Sequence, residues 1–262
     1  AQINTSQWGV FLYLTKTQKH VSVYTVFLNL KNSTFTERQN MNLFDPTTMV
    51  KLLNAQGRPI VFSVLIMDKS DSMDIHGNAP KDAINQHIRT LKADEENFHV
   101  TGVVGFASEY SVDIPMNVAS EVSELVQYNT NGCTCLYETV ELVLSALLEK
   151  VSPIEIPYRV VLAVFSDGED NKSQRPLYPE KLQVISKKVI QLGWELRCVG
   201  FGIDAHFIAQ QMGFQTWNAK SMANSTCNIE YSVRDITSGL RLSPDILKII
   251  NDSRRFQGAT EK

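Results

Sequence analysis

Five oxygen-bearing side chains stand where this sequence passes from buried strand to loop. Asp68, Ser70 and Ser72 lie in Asp68-Lys69-Ser70-Asp71-Ser72, directly after the apolar run IVFSVLIM (60–67). Thr134 lies in the polar stretch NTNGCT, just ahead of a helical pattern. Asp167 opens Asp167-Gly168-Glu169-Asp170-Asn171, directly after a second apolar run, YRVVLAVFS (158–166). Two carboxylates and three hydroxyls form an all-oxygen set, which suits Mg²⁺, Mn²⁺ or Ca²⁺ and not Zn²⁺. Mg²⁺ prefers octahedral geometry at about 2.0–2.1 Å and keeps several waters. Two carboxylates would balance its charge and leave one coordination position for an outside ligand. The competing explanation is local: Ser and Thr hydroxyls also cap helices and turns.

Positioning these groups requires a particular framework. From Pro59 onwards, strand-like apolar runs alternate with amphipathic helical patterns, the signature of a parallel sheet with helices on both faces. The run 60–67 is apolar on both faces, as a central parallel strand should be. A helix is predicted at 79–93, with Asn78 as N-cap, Pro80 in the first turn and a stripe of Ile84, Ile88 and Leu91. A strand at 99–107 and an edge strand at 110–115 follow, then a helix at 118–127 and the loop NTNGCT. The helix 136–150 carries Leu136, Val140, Val143, Leu144 and Leu147 on one side. After the strand 158–166 come a helix at 179–192 ended by Gly193, a strand at 195–202, a helix near 204–212, a sixth strand at 214–217 and a last helix near 230–241. In such a sheet, ligands bind outside the carboxyl ends of the strands, where chain order reverses. The strands 60–67 and 158–166 are the expected neighbours across that point, so residues distant in sequence would share one crevice.

The series DKSDS, NGCTCLYETV and VFSDGEDN resembles the DxSxS, threonine-loop and DG-x-D motifs of von Willebrand factor A domains, in order and in spacing. The resemblance covers residues 58–242, about 70% of the chain. It implies a doubly wound α/β fold with a mostly parallel six-stranded sheet. It also implies a metal-ion-dependent adhesion site in which Asp68, Ser70 and Ser72 take the DxSxS roles. Thr134 would then be the mobile-loop ligand, and Asp167 the acidic ligand that often works through water. One position departs from the pattern. Many members of the family carry Gly between the two serines, and this chain carries Asp71. Asp tolerates a left-handed backbone better than most residues. Its charge would either raise metal affinity or discourage an acidic partner.

Other motifs carry less. Gly200-Phe-Gly202-Ile-Asp-Ala205 has the form of a dinucleotide fingerprint, but it follows a late strand and no acidic residue comes until Glu230. It reads as a tight turn with close backbone packing. Ser70 stands where an aspartyl-phosphate chemistry of the haloacid-dehalogenase type needs a second Asp, and neither serine lies in a G-x-S-x-G elbow. The histidines form no H-E-x-x-H pair, and His99 reads as a strand residue. Cys133 and Cys135 flank Thr134 as two small side chains of a packed loop rather than as a redox switch.

Composition bounds the function. Apolar residues are 43% and charged residues 20% of 262, enough for a substantial core. A net charge of −3 gives nucleic acid and anionic lipid nothing to bind, and the longest apolar run is far short of a membrane span. The opening AQINTSQWGV lacks Met and the basic-then-apolar order of a secretion leader, which leaves open a trimmed start, a processed longer precursor, or a sequence that simply begins at this point. The four cysteines make no CxxC pair, which favours a reducing compartment, while Asn-x-Ser/Thr sites at residues 4, 32, 171, 224 and 251 leave an extracellular one open. Residues 1–57 form a β-rich extension, with two strands in 9–30 around Lys-Thr-Gln-Lys and a short helix in 45–56, and residues 243–262 form a helical tail.

No catalytic nucleophile–base pair is recognisable, so no enzymatic activity is expected. The expected function is protein–protein interaction at a Mg²⁺-type site, completed by an acidic residue of a partner. Two alternatives stay open. The chain could assist a separate AAA-type ATPase, since it has no phosphate-binding loop of its own. It could instead be a structural subunit that oligomerises or assembles through its flanks.

Overall fold

The computed structural model of the chain describes residues 8–16, 21–29, 41–173 and 178–241. The chain divides into two compact units, Ala1–Asn40 and Met41–Lys262. In the first, strands β1 (Trp8–Lys16) and β2 (Val21–Asn29) pair antiparallel, Trp8 opposite Asn29 and Lys16 opposite Val21. Both are rich in the β-branched and aromatic residues that favour pleated backbone. The turn between them and the expected tail helix after Pro244 lie outside the described residues.

The second unit begins with α1 (Thr48–Lys51), continued by a 3-10 turn at Leu52–Ala55. It then runs β3 (Ile60–Asp68), α2 (Ala79–Lys92), β4 (Phe98–Phe106), β5 (Tyr110–Val118), α3 (Leu136–Val151), β6 (Tyr158–Ser166), α4 (Glu180–Gln191), β7 (Glu195–Phe201), α5 (Ala205–Gln211), β8 (Ala219–Met222) and α6 (Thr226–Gly239). The six strands β3–β8 form one sheet in the order β5-β4-β3-β6-β7-β8, parallel except for β5. This is the expected doubly wound α/β architecture. β3 lies between β4 and β6, so the chain leaves it in one direction and returns on its other side. Both partners keep β3 in register to its carboxyl end, with Asp68 opposite Phe106 and Met67 opposite Phe165.

Alternation along each strand divides the core between the two faces. Phe62, Val64 and Ile66 of β3 join α3 and α4 through Val140, Leu144 and Leu182. Leu65 and Met67 face the other way and join α2 and α6 through Ile84, Ile88 and Val233. Full burial of each such side chain stabilises the sheet by about 1.5–3 kcal/mol, which makes the carboxyl rim of β3 and β6 a rigid platform.

Several local expectations are corrected. The helix expected at 118–127 is a 3-10 turn at Ala119–Glu121 followed by irregular chain. There Asn85 of α2 substitutes for a strand neighbour: its Nδ2 donates to the Leu125 carbonyl at 3.0 Å and its Oδ1 accepts the Leu125 N–H at 2.7 Å. The sixth strand is 219–222 rather than 214–217. Phe214 turns into the core, Thr216–Asn218 coil into a 3-10 turn, and pairing with β7 starts at Ala219 opposite Cys198. Asn78 precedes α2 without making a side-chain cap. The last helix begins earlier than expected, at Thr226. Residues 43–48 pack along β5, where Thr48 Oγ1 donates to the Met116 carbonyl at 2.8 Å. Among the described residues no helix is long and apolar enough to cross a membrane.

Candidate metal centre

Asp68 is the last residue of β3, and its side chain is buried. Its Oδ1 accepts the Ser70 N–H at 2.8 Å, and its Oδ2 accepts the hydroxyl of Ser166, the last residue of β6, at 2.5 Å. One carboxylate thus ties together the carboxyl ends of the two central strands. Burial pushes the Asp68 carboxyl up to about 6; bonds from Ser166 and Ser70 oppose that rise and the nearby Asp167 adds to it. Tyr128 closes the floor by donating its hydroxyl to the Asp68 carbonyl, and burial beside Asp68 pushes that phenol upward.

The chain leaves β3 through an extended Ser70 and coils at once into a 3-10 turn, Asp71–His76. That turn brings the Ser72 hydroxyl to 3.1 Å from the Ser70 hydroxyl, and Ser72 donates to Asp167 Oδ1 at 2.6 Å. Asp68, Ser70, Ser72 and Asp167 therefore form one continuous hydrogen-bonded series. Ser70 makes no side-chain cap on the turn it precedes, so local capping does not account for it.

Thr134 reaches the crevice by another route. Its N–H donates to Asn171 Oδ1 at 2.9 Å, and its carbonyl accepts the N–H groups of Asn171 at 3.1 Å and Lys172 at 3.2 Å. Its hydroxyl lies beside Gly168, 3.5 Å from where a Cβ on that residue would stand. Among the described residues its hydroxyl makes no direct bond to the other four, so it joins them through the 167–171 loop. Cys135, not Thr134, precedes α3, and the helix is capped from outside: Asp170 Oδ2 accepts the Tyr137 N–H at 2.8 Å and Ser173 Oγ accepts the Glu138 N–H at 3.0 Å.

Asp71 has no need of a left-handed backbone in the place where many family members carry Gly. Gln56 is the one non-glycine residue with positive φ among the described residues, and Asp71 enters a right-handed turn. Its carboxylate faces Gly132 of the threonine loop instead. Lys69 points away from the crevice, 3.1 Å from both carboxylate oxygens of Asp113.

The donor set fits a hard divalent cation. Among the described residues no Lys, Arg or His ion pair reaches Asp68 or Asp167. A buried carboxylate with a second beside it is costly unless positive charge balances it. The crevice offers two carboxylates and hydroxyls, and no three His, Cys, Asp or Glu side chains gather as a metal site among the described residues. Sequence reading missed the supporting residues Ser166, Tyr128, Asn171, Asp170 and Ser173. Asp170 and Asn171 were visible in the DGEDN motif; Tyr128 carried no signal.

No protein-family model and no curated protein matches the sequence. Solved structures match it in fold. A von Willebrand factor type A protein from Catenulispora acidiphila aligns over 68% of this chain and 42% of its own, at 16% identity and TM-score 0.51. The fold is that of a von Willebrand factor A domain. Proximal thread matrix protein 1 from the mussel byssus, solved with zinc in its MIDAS motif, aligns over 69% of this chain and 45% of its own at 15% identity and TM-score 0.50. The pilus adhesin SpaC from Lactobacillus rhamnosus GG aligns over 89% of this chain and 34% of its own at 13% identity and TM-score 0.53. The chain spans less than half the length of each of these structures. In this A-domain fold, the oxygen-lined crevice occupies the carboxyl rim between β3 and β6.

The dinucleotide-like segment is a packed turn. A Cβ on Gly200 would stand 2.8 Å from Ile203 Cγ1 and 3.0 Å from Ala205 Cβ, and Asp204 caps α5 by accepting the N–H groups of His206 and Phe207. Cys133 is exposed, and burial pushes the Cys135 thiol up to about 11.

Proposed function

We propose that the chain is a metal-dependent protein–protein interaction module that binds rather than catalyses. Asp68, Ser70, Ser72 and Thr134 would hold a Mg²⁺-type cation, with Asp167 contributing directly or through water. Bound there, the cation supplies a positive point that an acidic side chain of a partner completes. Asp68 gives that point its fixed negative base, because its carboxylate is already oriented by Ser166 and the Ser70 N–H. The hydroxyls of Ser70 and Ser72 add donor oxygens without adding charge, and with Asp167 acting through water the cation keeps net positive character for an anionic ligand.

The observation that carries this reading is the continuous series Asp68–Ser70–Ser72–Asp167 at the junction of the two central strands. The mussel byssus protein with zinc in its MIDAS motif and the pilus adhesin lend it support as proteins of similar fold. Calorimetric titration of Mg²⁺, Mn²⁺, Ca²⁺ and Zn²⁺ into EDTA-stripped protein tests it. A single site is expected in the wild type, and binding at least about tenfold weaker in Asp68→Ala and Asp167→Ala. A wild type that takes up none of the four ions sinks the reading. Capture of an acidic peptide library with and without EDTA then tests the partner chemistry.

A further inference from the structure

Asp71 stands between the two site serines, yet it faces away from them towards the threonine loop. Its Oδ1 accepts the Gly132 N–H at 2.8 Å, and its own N–H donates to the Gly132 carbonyl at 3.2 Å. The two bonds close a ring between segments 61 positions apart. Gly132 holds φ at +81°, and a Cβ there would run into the hydroxyl of Ser108. The loop therefore passes this point with no side chain of its own to anchor it. At Gly132 its position is set by what grips the backbone, and Asp71 grips both polar groups of that residue; two residues earlier Thr130 Oγ1 donates to Asp74 Oδ1 at 3.1 Å. Adjacent bonds continue the seam: Asn131 N–H to the Lys69 carbonyl at 2.8 Å and Cys133 N–H to Ser108 Oγ at 3.0 Å.

We propose that Asp71 is a positioning residue whose carboxylate clasps Gly132 and so holds Thr134, two residues on, at the crevice. Thr134 is gripped from both sides, by Asp71 through Gly132 and by Asn171 directly. A loop fixed before binding loses little conformational freedom when a ligand arrives, which raises affinity. The inference rests on the proposed metal site, but both bonds of the clasp join Asp71 to Gly132, neither of them a proposed metal ligand.

The test uses Asp71→Ala, which removes the acceptor, and Asp71→Asn, which keeps an acceptor oxygen and removes the charge. Hydrogen exchange on metal-free protein reads the clasp, and Mg²⁺ calorimetry reads its consequence. Asp71→Ala is expected to speed exchange of the Gly132 amide and to weaken Mg²⁺ binding, each by about tenfold. Asp71→Asn is expected to stay near wild type in both. Unchanged Gly132 exchange in Asp71→Ala overturns the proposal. So does Asp71→Asn binding Mg²⁺ as poorly as Asp71→Ala, because the role of Asp71 would then be its charge. If the wild type binds no Mg²⁺, the proposed function falls while the exchange data still decide the clasp.

Discussion

Ser72 donates its hydroxyl hydrogen to Asp167 Oδ1 across 2.6 Å, although the two residues lie 95 positions apart. The contact exists because β3 and β6 are parallel neighbours whose carboxyl ends reach the same rim. It joins loops, not core elements, and sits at the exposed side of the crevice. Its contribution to folding is therefore small.

Asp167→Ala should separate binding from folding. A lost hydrogen bond at the exposed rim shifts Tm by only a few degrees at most, since a bond of this kind contributes about 1 kcal/mol. Divalent-ion affinity should fall by at least about tenfold. Differential scanning calorimetry beside titration calorimetry checks both. A large drop in Tm with unchanged ion binding would make Asp167 a structural residue only.

Asp170 should behave in the opposite way. It is buried and accepts the Tyr137 N–H, the Ser173 N–H at 3.1 Å and the Ser173 hydroxyl at 2.5 Å. Removing it strands donors in the first turn of α3, and Asp170→Ala should cost about 2–3 kcal/mol in urea unfolding. Asn171→Ala releases Thr134 with less effect on α3, so it should cost about 1 kcal/mol and weaken Mg²⁺ binding more than its stability loss explains. Equal stability losses in the two variants would contradict this division of labour.

The sequence reveals the framework better than the seams. The runs 60–67 and 158–166 are apolar on both faces, as central parallel strands require, and their ends locate Asp68 and Asp167. The stretch 118–127 misleads because its apolar spacing fits a helix, while the competing partner, the Asn85 amide, lies 40 positions away. Asp71 misleads for the same reason: its type speaks of turn backbone, and its actual partner, Gly132, becomes its neighbour only once the sheet has formed. Side chains that serve backbone groups far away in sequence leave no periodic trace.

His87 gives the fold an acid limit. The ring is buried, with Nδ1 2.8 Å from Thr237 Oγ1 and Nε2 3.3 Å from Thr101 Oγ1. Thr237 already donates to the Val233 carbonyl at 2.6 Å, so Nδ1 carries the proton and Nε2 accepts. Burial, with His99 adding to it, lowers the imidazole from 6.5 to about 3. The unfolded ring takes up a proton first, so its stabilising contribution is whole above pH 6.5 and drains as pH falls towards 3. Between pH 6.5 and 4 the loss is about 3 kcal/mol. Urea midpoints over that range should fall more steeply in wild type than in His87→Gln. Parallel slopes would show that burial does not hold the ring neutral.

Asp68 has the opposite sign. Its carboxyl titrates at about 6 when folded against 3.8 otherwise, so the folded state favours the protonated form. The stabilisation from that proton is whole below 3.8 and lost as pH rises through 6, leaving the metal-free protein up to about 3 kcal/mol less stable at neutral pH. Asp68→Asn keeps the shape, offers an oxygen to the Ser70 N–H and an amide to Ser166, and carries no charge. In EDTA at pH 7 the variant should therefore be more stable than wild type, and the gap should close to under about 1 kcal/mol by pH 4. Saturating Mg²⁺ should then stabilise the wild type by about 3 kcal/mol at a hundredfold excess over Kd and leave Asp68→Asn unchanged. The two results together identify the cost of the unbalanced carboxylate as the source of the cation affinity. An Asn variant no more stable than wild type in EDTA would remove that link, because the buried charge would already be matched inside the protein.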